Sequence, residues 1–447
     1  MKHKQRLGVL RHRRQDGWRS RIGRNAGVND MAAPWAHRYA QRTKTAKSSI
    51  IRELLKLTTK PEIISFAGGL PAPEVFPVEQ FREACERVLA TQATAALQYG
   101  PSEGYKPLRE LILAQMAKYG IVATVDNVMI TSGSQQALDL IAKLLINRGD
   151  RILVESPTYL GALQAFDLMG AEYVTVPIDG QGLQTRLLEG ALRSGPKFMY
   201  VLPNFQNPGG VTLSDDRRRQ LVWLSDKYGI PIIEDDPYGQ LRYEGEHIKP
   251  LVVLDRMNVL RDDGYHLGNV IYLSTFSKVL APGLRLGWIV APPDVITRLV
   301  QLKQSADLHT STFTQMVAYE VAKDGFMDEH VKTIRQCYKE RSDAMLAALS
   351  DFFPPEVKWT HPQGGLFLWV TLPDGVDCMR LFDEAIRHDV AFVPGQPFFA
   401  EGDVGSHMRL NFSNATPEMI REGIRRLSIA VAHEIEHNAG VVSAVTA

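Results

Sequence analysis

Between residues 128 and 291 the chain alternates short β-rich runs with helical patterns, and this alternation limits the possible fold more than any other feature. The runs are Val128–Thr131, Arg151–Glu155, Tyr173–Val176, Phe198–Leu202, Pro231–Glu234, Val270–Ser274 and Leu286–Ala291. Amphipathic stretches at 134–147, 158–169 and 214–228 lie between several of them. Strand–helix–strand repetition predicts an α/β fold: a mostly parallel, seven-stranded sheet covered by helices. In such sheets chemistry collects beyond the carboxyl ends of the strands.

Helices are expected around 48–57, 78–92 and 104–119, and one long helical stretch over about 294–349. Residues 352–432 read as strand, strand, helix, strand, helix, a smaller α+β module. The chain has 447 residues, enough for two or three domains of about 150 residues. The expected division is a lead-in at 1–44, a first segment of the small domain at 45–79, a large domain at 80–335 and the rest of the small domain at 336–447.

Charge and cysteine content narrow the function. Lys plus Arg number 51 and Asp plus Glu 50, which argues against a surface built to coat nucleic acid. Residues 1–30 hold nine Lys/Arg and two Asp/Glu, leaving 42 against 48 for the remainder. That basic tail shows no apolar periodicity and reads as disordered. Met31 is an alternative start, and the tail's acidic residues and weak amphipathicity count against an organelle-targeting role. Cys85, Cys337 and Cys378 are far apart in the sequence and odd in number, so no disulfide framework or Cys-x-x-Cys metal site can be read from them; a reducing, cytoplasmic setting is the default and no metal is expected. No run of 18 apolar residues suggests a membrane span.

Four segments at predicted strand ends carry the chemistry. In Ser274-Thr275-Phe276-Ser277-Lys278, hydroxyls are followed by a lysine that can form a Schiff base with an aldehyde when desolvated. Arg285 follows a Gly turn, and with the hydroxyls it can hold a phosphate. In Asp235-Asp236-Pro237-Tyr238, an acid can keep a pyridine nitrogen protonated, and the tyrosine can donate to a phenolic oxygen on the same ring. In Asn204-Phe205-Gln206-Asn207-Pro208-Gly209-Gly210, an amide precedes a Pro-Gly turn. In Thr131-Ser132-Gly133-Ser134-Gln135-Gln136, a small-residue turn feeds a helix N-terminus, which favours an anion. Each segment alone reads more readily as a plain turn or a surface charge. Their coincidence at successive strand ends points to one site.

As a set these residues resemble the class I/II pyridoxal-phosphate aminotransferases of fold type I, within them the 2-aminoadipate/kynurenine aminotransferase subgroup. The resemblance covers roughly residues 45–435. It also rests on Phe66-Ala67-Gly68-Gly69-Leu70-Pro71, Leu97-Gln98-Tyr99-Gly100, Ser156-Pro157-Thr158-Tyr159, Gly364-Gly365-Leu366-Phe367, Val393-Pro394-Gly395 and Met408-Arg409-Leu410-Asn411. The turn Asn-Pro-Gly-Gly stands where Asn-Pro-Thr-Gly is commoner, and the basic tail has no counterpart.

The resemblance implies the cofactor pyridoxal 5'-phosphate and a role for each matching residue. Lys278 would hold the cofactor and shuttle the proton, with Asp235 on the pyridine nitrogen and Tyr238 and Asn207 on the phenolic oxygen. Tyr159 would stack on the ring. Ser134, Gln135, Thr275, Ser277 and Arg285 would surround the phosphate, with Tyr99 reaching it from a partner subunit. Arg409 would clamp the substrate α-carboxylate, near Gly69, Tyr99 and Asn207. Ser49 and Arg52, on the first helix, would meet a distal side-chain carboxylate.

The implied activity is ping-pong transamination of an L-amino acid of the 2-aminoadipate, glutamate, leucine or aromatic type with 2-oxoglutarate or a similar 2-oxo acid. The implied assembly is a homodimer with active sites at the subunit interface, binding neither nucleic acid nor membrane. Two alternatives share these motifs. A fold-type-I lyase or decarboxylase would also keep Arg409. A transcription regulator with an aminotransferase-like domain would need a DNA-binding module of some 70 residues ahead of the motifs, where only about 45 residues without a helix-turn-helix pattern stand.

Overall fold

A computed structural model describes residues 35, 37–44, 62–258, 268–402 and 406–446 of the chain. The basic tail, the expected helix at 48–57 and with it Ser49 and Arg52 lie outside the described residues. The chain divides into two units. In the first, Met1–Ala46, the described part holds a single 3-10 turn, Gln41–Lys44. The second, Lys47–Ala447, contains an eight-stranded, a four-stranded and a two-stranded sheet.

Strand β1 (Ile64–Ser65) opens the second unit. The large sheet follows, with β2 (Val128–Thr131), β3 (Arg151–Ser156), β4 (Glu172–Asp179), β5 (Gly182–Leu183), β6 (Met199–Val201), β7 (Ile232–Asp235), β8 (Val270–Thr275) and β9 (Gly287–Val290). Their order is β2-β9-β8-β7-β6-β3-β4-β5. The four pairings from β8 to β4 are parallel, and the other three are antiparallel. All seven expected strands are present. The eighth, β5, is a two-residue return from β4 across Gly180-Gln181, too short to leave a periodic signal.

Strands β2, β7, β8 and β9 are buried along their whole length, which explains why they read as unbroken apolar runs. Because β9 runs against both of its neighbours, β2 shares the direction of β8, β7, β6 and β3. The carboxyl ends of those five strands therefore lie along one edge. Helices Ser134–Leu145 and Leu160–Asp167 follow β2 and β3. Helices Asp215–Tyr228 and Leu251–Asn258 follow β6 and β7.

The second sheet uses β10 (Lys358–Trp359) and β11 (Phe367–Thr371), then β13 (Val393–Pro394) and β14 (His407–Asn411), in the antiparallel order β10-β11-β14-β13. The remaining strand, β12 (Val390–Ala391), pairs in parallel with β1, setting Ile64 opposite Val390. This pairing delivers the segment Phe66–Pro73 to the second sheet.

The stretch expected as one helix over 294–349 is three: Pro293–Ala306, Thr312–Ala322 and Phe326–Phe352. The first break contains Leu308 in the left-handed region (φ 61), and Ser311 accepts from the Thr314 N–H to cap the next helix. The second contains Asp324 (φ 57) and Gly325 (φ 83). Among the described residues, no helix is long and apolar enough to cross a membrane.

Candidate active site

Strand β7 delivers two adjacent acids whose surroundings differ. Asp235 is 2% exposed; the Tyr200 hydroxyl donates to its Oδ2 at 2.7 Å, and its buried Oδ1 has no protein partner. Burial pushes its carboxyl from 3.8 up to about 7, against the hydrogen bond from Tyr200. Asp236 is already satisfied: Asn204 Nδ2 donates to Oδ1 at 2.9 Å and the Tyr272 hydroxyl to Oδ2 at 3.1 Å. Of the two, Asp235 alone offers a free buried acceptor, suited to a cationic ring N–H.

Beyond β8, the Lys278 ammonium donates to the Gly69 carbonyl at 2.8 Å. Burial lowers it from 10.5 to about 8, and the positive charges of Arg409 and Arg285 push the same way. A lysine so shifted is available as a neutral nucleophile near neutral pH. Three residues earlier, the Thr275 hydroxyl donates to the Leu286 carbonyl at 2.8 Å and accepts from the Ser277 N–H at 3.1 Å. It thereby fixes Ser277, whose Oγ lies 2.9 Å away.

An anion cradle forms after β2. Gly133 has φ +83, and a Cβ there would stand 2.5 Å from Arg285 Nη2, so only glycine lets the guanidinium approach the turn. Helix Ser134–Leu145 starts at once, and its first N–H groups have no intrahelical acceptor. The buried Ser134 Oγ has no partner. The Gln135 side chain donates one of its two amide hydrogens to the Gly161 carbonyl at 2.8 Å.

On the other side, Arg409 of β14 is buried between Phe367 and Phe398, its guanidinium 4.2 and 5.1 Å from their ring centres. Its Nη1 donates to Asn207 Oδ1 at 2.8 Å and its Nη2 to the Ala67 carbonyl at 2.9 Å, while Nε has no partner. Asn207 Nδ2 in turn donates to the Tyr238 hydroxyl at 3.5 Å. The phenol of Tyr159 is held protonated first by burial and then by the charge of Asp235, with Arg409 and Arg285 opposing. Tyr159 therefore shares one electrostatic neighbourhood with the acid and both arginines.

The segment Phe66–Pro73 is strapped across this region. The Phe66 N–H donates to the Ala391 carbonyl at 2.7 Å, and the Asn411 N–H to the Phe66 carbonyl at 2.9 Å. The Ser413 hydroxyl donates to the Leu70 carbonyl at 2.7 Å, and the Ala72 N–H to the Tyr338 hydroxyl at 3.2 Å. Arg409 and Lys278 supply the ties at Ala67 and Gly69 already described.

The fold thus assembles Lys278, Asp235, Tyr238, Asn207, Tyr159, Ser134, Thr275, Ser277, Arg285, Arg409 and Gly69 from separate strand ends. Tyr99 is apart from this set in character: it is 78% exposed, edge-on to His309 at 5.8 Å. Sequence reasoning missed Tyr200, Phe367 and Phe398. Tyr200 was detectable as the one hydroxyl-bearing residue inside the apolar run Phe198–Leu202. Nothing local marks the two phenylalanines as the walls around an arginine.

A lysine, an acid with a free oxygen and an anion cradle at the carboxyl edge of this sheet define the fold type I pyridoxal-phosphate enzymes. The pattern of the aminotransferase class I and II family matches residues 63–427, and the chain belongs to that family. It is 47% identical over 406 residues to aromatic-amino-acid aminotransferase 1 of Thermococcus litoralis, covering 89% of this chain and 95% of the relative. The crystal structure of Thermus thermophilus α-aminoadipate aminotransferase with N-(5'-phosphopyridoxyl)-L-leucine superposes with a TM-score of 0.84 at 41% identity, over 90% of this chain and all of that one. Pyrococcus horikoshii kynurenine aminotransferase superposes with a TM-score of 0.85 at 44% identity, over 90% and 99%. The protein is a pyridoxal 5'-phosphate-dependent aminotransferase acting on an amino acid and a 2-oxo acid.

Proposed function

We propose that this enzyme transaminates 2-aminoadipate, glutamate, leucine or aromatic L-amino acids with 2-oxoglutarate or a similar 2-oxo acid, through the residues gathered above. The observation that carries the assignment of the site is the unpartnered, buried Asp235 Oδ1 at the same strand edge as Lys278. Pyridoxal 5'-phosphate, when bound, supplies an aldehyde that takes the amino group and a pyridinium ring that draws electrons from the substrate Cα.

The chain's own groups do the rest. Asp235 Oδ1 holds the proton on the ring nitrogen, and Tyr200 keeps the carboxylate aimed. Tyr238 and Asn207 hold the phenolic oxygen, and Tyr159 covers the ring face. Ser134 Oγ, the first N–H groups of its helix, Ser277 and Arg285 bind the phosphate, with Thr275 fixing Ser277. Arg409 binds the α-carboxylate, the free Nε marking spare donor capacity beside Asn207 and Gly69. Lys278 Nζ, freed from the Gly69 carbonyl, takes the proton from one carbon and returns it to another. Ser49 and Arg52 are assigned to distal carboxylates of acidic substrates.

The working assembly is a homodimer with Tyr99 reaching the partner's phosphate; the exposure of Leu97, Tyr99 and Leu308 on one chain supports it. Residues 45–79 and 336–447 form the small domain and 80–335 the large one, a division favoured by the β1–β12 pairing and the separation of the eight-stranded from the four-stranded sheet. A cytoplasmic setting accords with three cysteines that form no disulfide.

The test is a half-reaction screen. Holoenzyme is mixed with each candidate amino acid while the absorbance of the lysine-bound cofactor is followed. Conversion to the amine form is expected with acidic, aromatic and leucine-type substrates. No conversion with any of them would refute the assignment.

A further inference from the structure

An ion pair with a buried lysine stands beside the anion cradle. Lys303, in the last turn of helix Pro293–Ala306, is 0% exposed. Its ammonium donates to Asp307 Oδ1 at 2.8 Å, Asp307 Oδ2 at 2.9 Å and Gln136 Oε1 at 2.8 Å, one acceptor for each proton. Asp307 Oδ2 also accepts from Gln136 Nε2 at 2.6 Å and Ser132 Oγ at 3.0 Å. The Ser132 N–H donates to Gln136 Oε1 at 2.7 Å, and Ser132 Oγ lies 3.2 Å from Thr310 Oγ1.

These contacts grip residues 132 and 136, which flank Gly133 and Ser134. Gly133 is the freest backbone in the cradle, and the N–H groups that follow it must all face one anion. A buried ion pair contributes little net stability, because desolvation offsets the attraction, but it fixes geometry. The two charges cancel, so the pair adds almost no field of its own at the cradle.

We propose that Lys303 and Asp307 are positioning residues for the cofactor phosphate. Acting through Gln136 and Ser132, they hold the Ser132–Ser134 turn in its phosphate-binding shape. This inference rests on the reading of the cradle as the phosphate site.

The test compares two probes on cofactor-free protein: pyridoxal 5'-phosphate and pyridoxal, which lacks the phosphate. Both can join Lys278, so their difference isolates the cradle. Lys303→Met fills the buried space without charge and leaves Asp307 with Ser132, Gln136 and solvent. It is expected to raise the Kd for pyridoxal 5'-phosphate roughly tenfold, about the value of one charge-assisted hydrogen bond, and to leave that for pyridoxal within about twofold. Ser132→Ala, a smaller change that leaves the ion pair intact, is expected to give about a threefold rise with the same selectivity, and decides the matter if Lys303→Met does not fold. Ser134→Ala is the control for the site itself. If it shows no preference between the probes, the phosphate reading fails. If it does, and both Lys303→Met and Ser132→Ala weaken the probes equally or not at all, the pair is structural and the inference is overturned.

Discussion

Asp235→Asn should stabilise the cofactor-free protein increasingly, relative to the parent, as pH rises from about 4 to about 7. In the folded chain the buried carboxyl titrates near 7, against 3.8 in a solvated chain. Below pH 3.8 both states are protonated and the group is neutral to folding. As pH rises past 3.8 the unfolded chain releases this proton while the folded chain keeps it, so stability falls until pH passes 7 and is flat beyond. About three pH units at roughly 1.4 kcal/mol each make a total loss of about 4 kcal/mol, rather more than half of it between pH 5 and pH 8. The amide cannot titrate and escapes that loss. Glu155 and Glu234 also titrate high, but they do so in both proteins and cancel in the difference. The assay is urea unfolding of both cofactor-free proteins at pH 5, 6, 7 and 8. The variant's relative stability should rise by about 2.5 kcal/mol across the series. A constant gap would refute the claim that Asp235 is buried and singly satisfied. In the holoenzyme the same change should slow the half-reaction at least roughly tenfold, because an amide does not hold the ring proton.

Lys278→Ala should fold and bind cofactor without the absorbance of the lysine-bound form, and multiple-turnover activity should vanish; retention of that absorbance would exclude Lys278 as the attachment point. Arg409→Ala should lower kcat/KM for every amino acid alike, because each carries the α-carboxylate, whereas Arg52→Ala should lower it roughly ten- to hundredfold for 2-aminoadipate and glutamate only. Equal losses on acidic and apolar substrates in Arg52→Ala would remove that residue from side-chain recognition. Glu155, which accepts from the Leu202 N–H at 3.1 Å and Gln206 Nε2 at 3.3 Å, is pushed by burial from 4.5 up to about 8. Glu155→Gln should therefore flatten the fall in stability between pH 5 and pH 8, as read by urea midpoints; an unchanged slope would place that titration elsewhere.

The sheet was legible because its central strands are buried on both faces and end in turn residues, so apolar runs and their stops survive in the sequence. Strand β5 left no trace, since two residues cannot show a period. The breaks at Asp307–Ser311 and Lys323–Gly325 were missed because non-glycine residues such as Leu308 and Asp324 take left-handed conformations there, against their own preference. Lys278, Asp235 and Asn207 could be read because each stands in a local motif at a strand end, and Arg409 because it stands in a local motif within β14. Phe398 and Lys303 could not, and Tyr200 showed only as a lone hydroxyl in an apolar run, without its partner. Tyr200, Phe398 and Lys303 act on residues 35, 11 and 167 positions away, and only the folded chain reveals which partner they meet.

The strap Phe66–Pro73 carries a consequence for how such an enzyme changes over generations. Its ties run through main-chain atoms: the N–H and carbonyl of Phe66, the carbonyls of Ala67, Gly69 and Leu70, and the N–H of Ala72. Almost any residue brings those atoms, so they survive substitution of the side chains they anchor. Leu70, half exposed, can be exchanged without loosening the fastening, whereas a Cβ at Gly69 would already stand 3.0 Å from the Phe367 ring. Variation is thereby channelled to a few positions beside a catalytic apparatus that stays put. A lineage carrying this strap can explore new amino-acid side chains by single mutations, with the attachment lysine and the carboxylate clamp undisturbed.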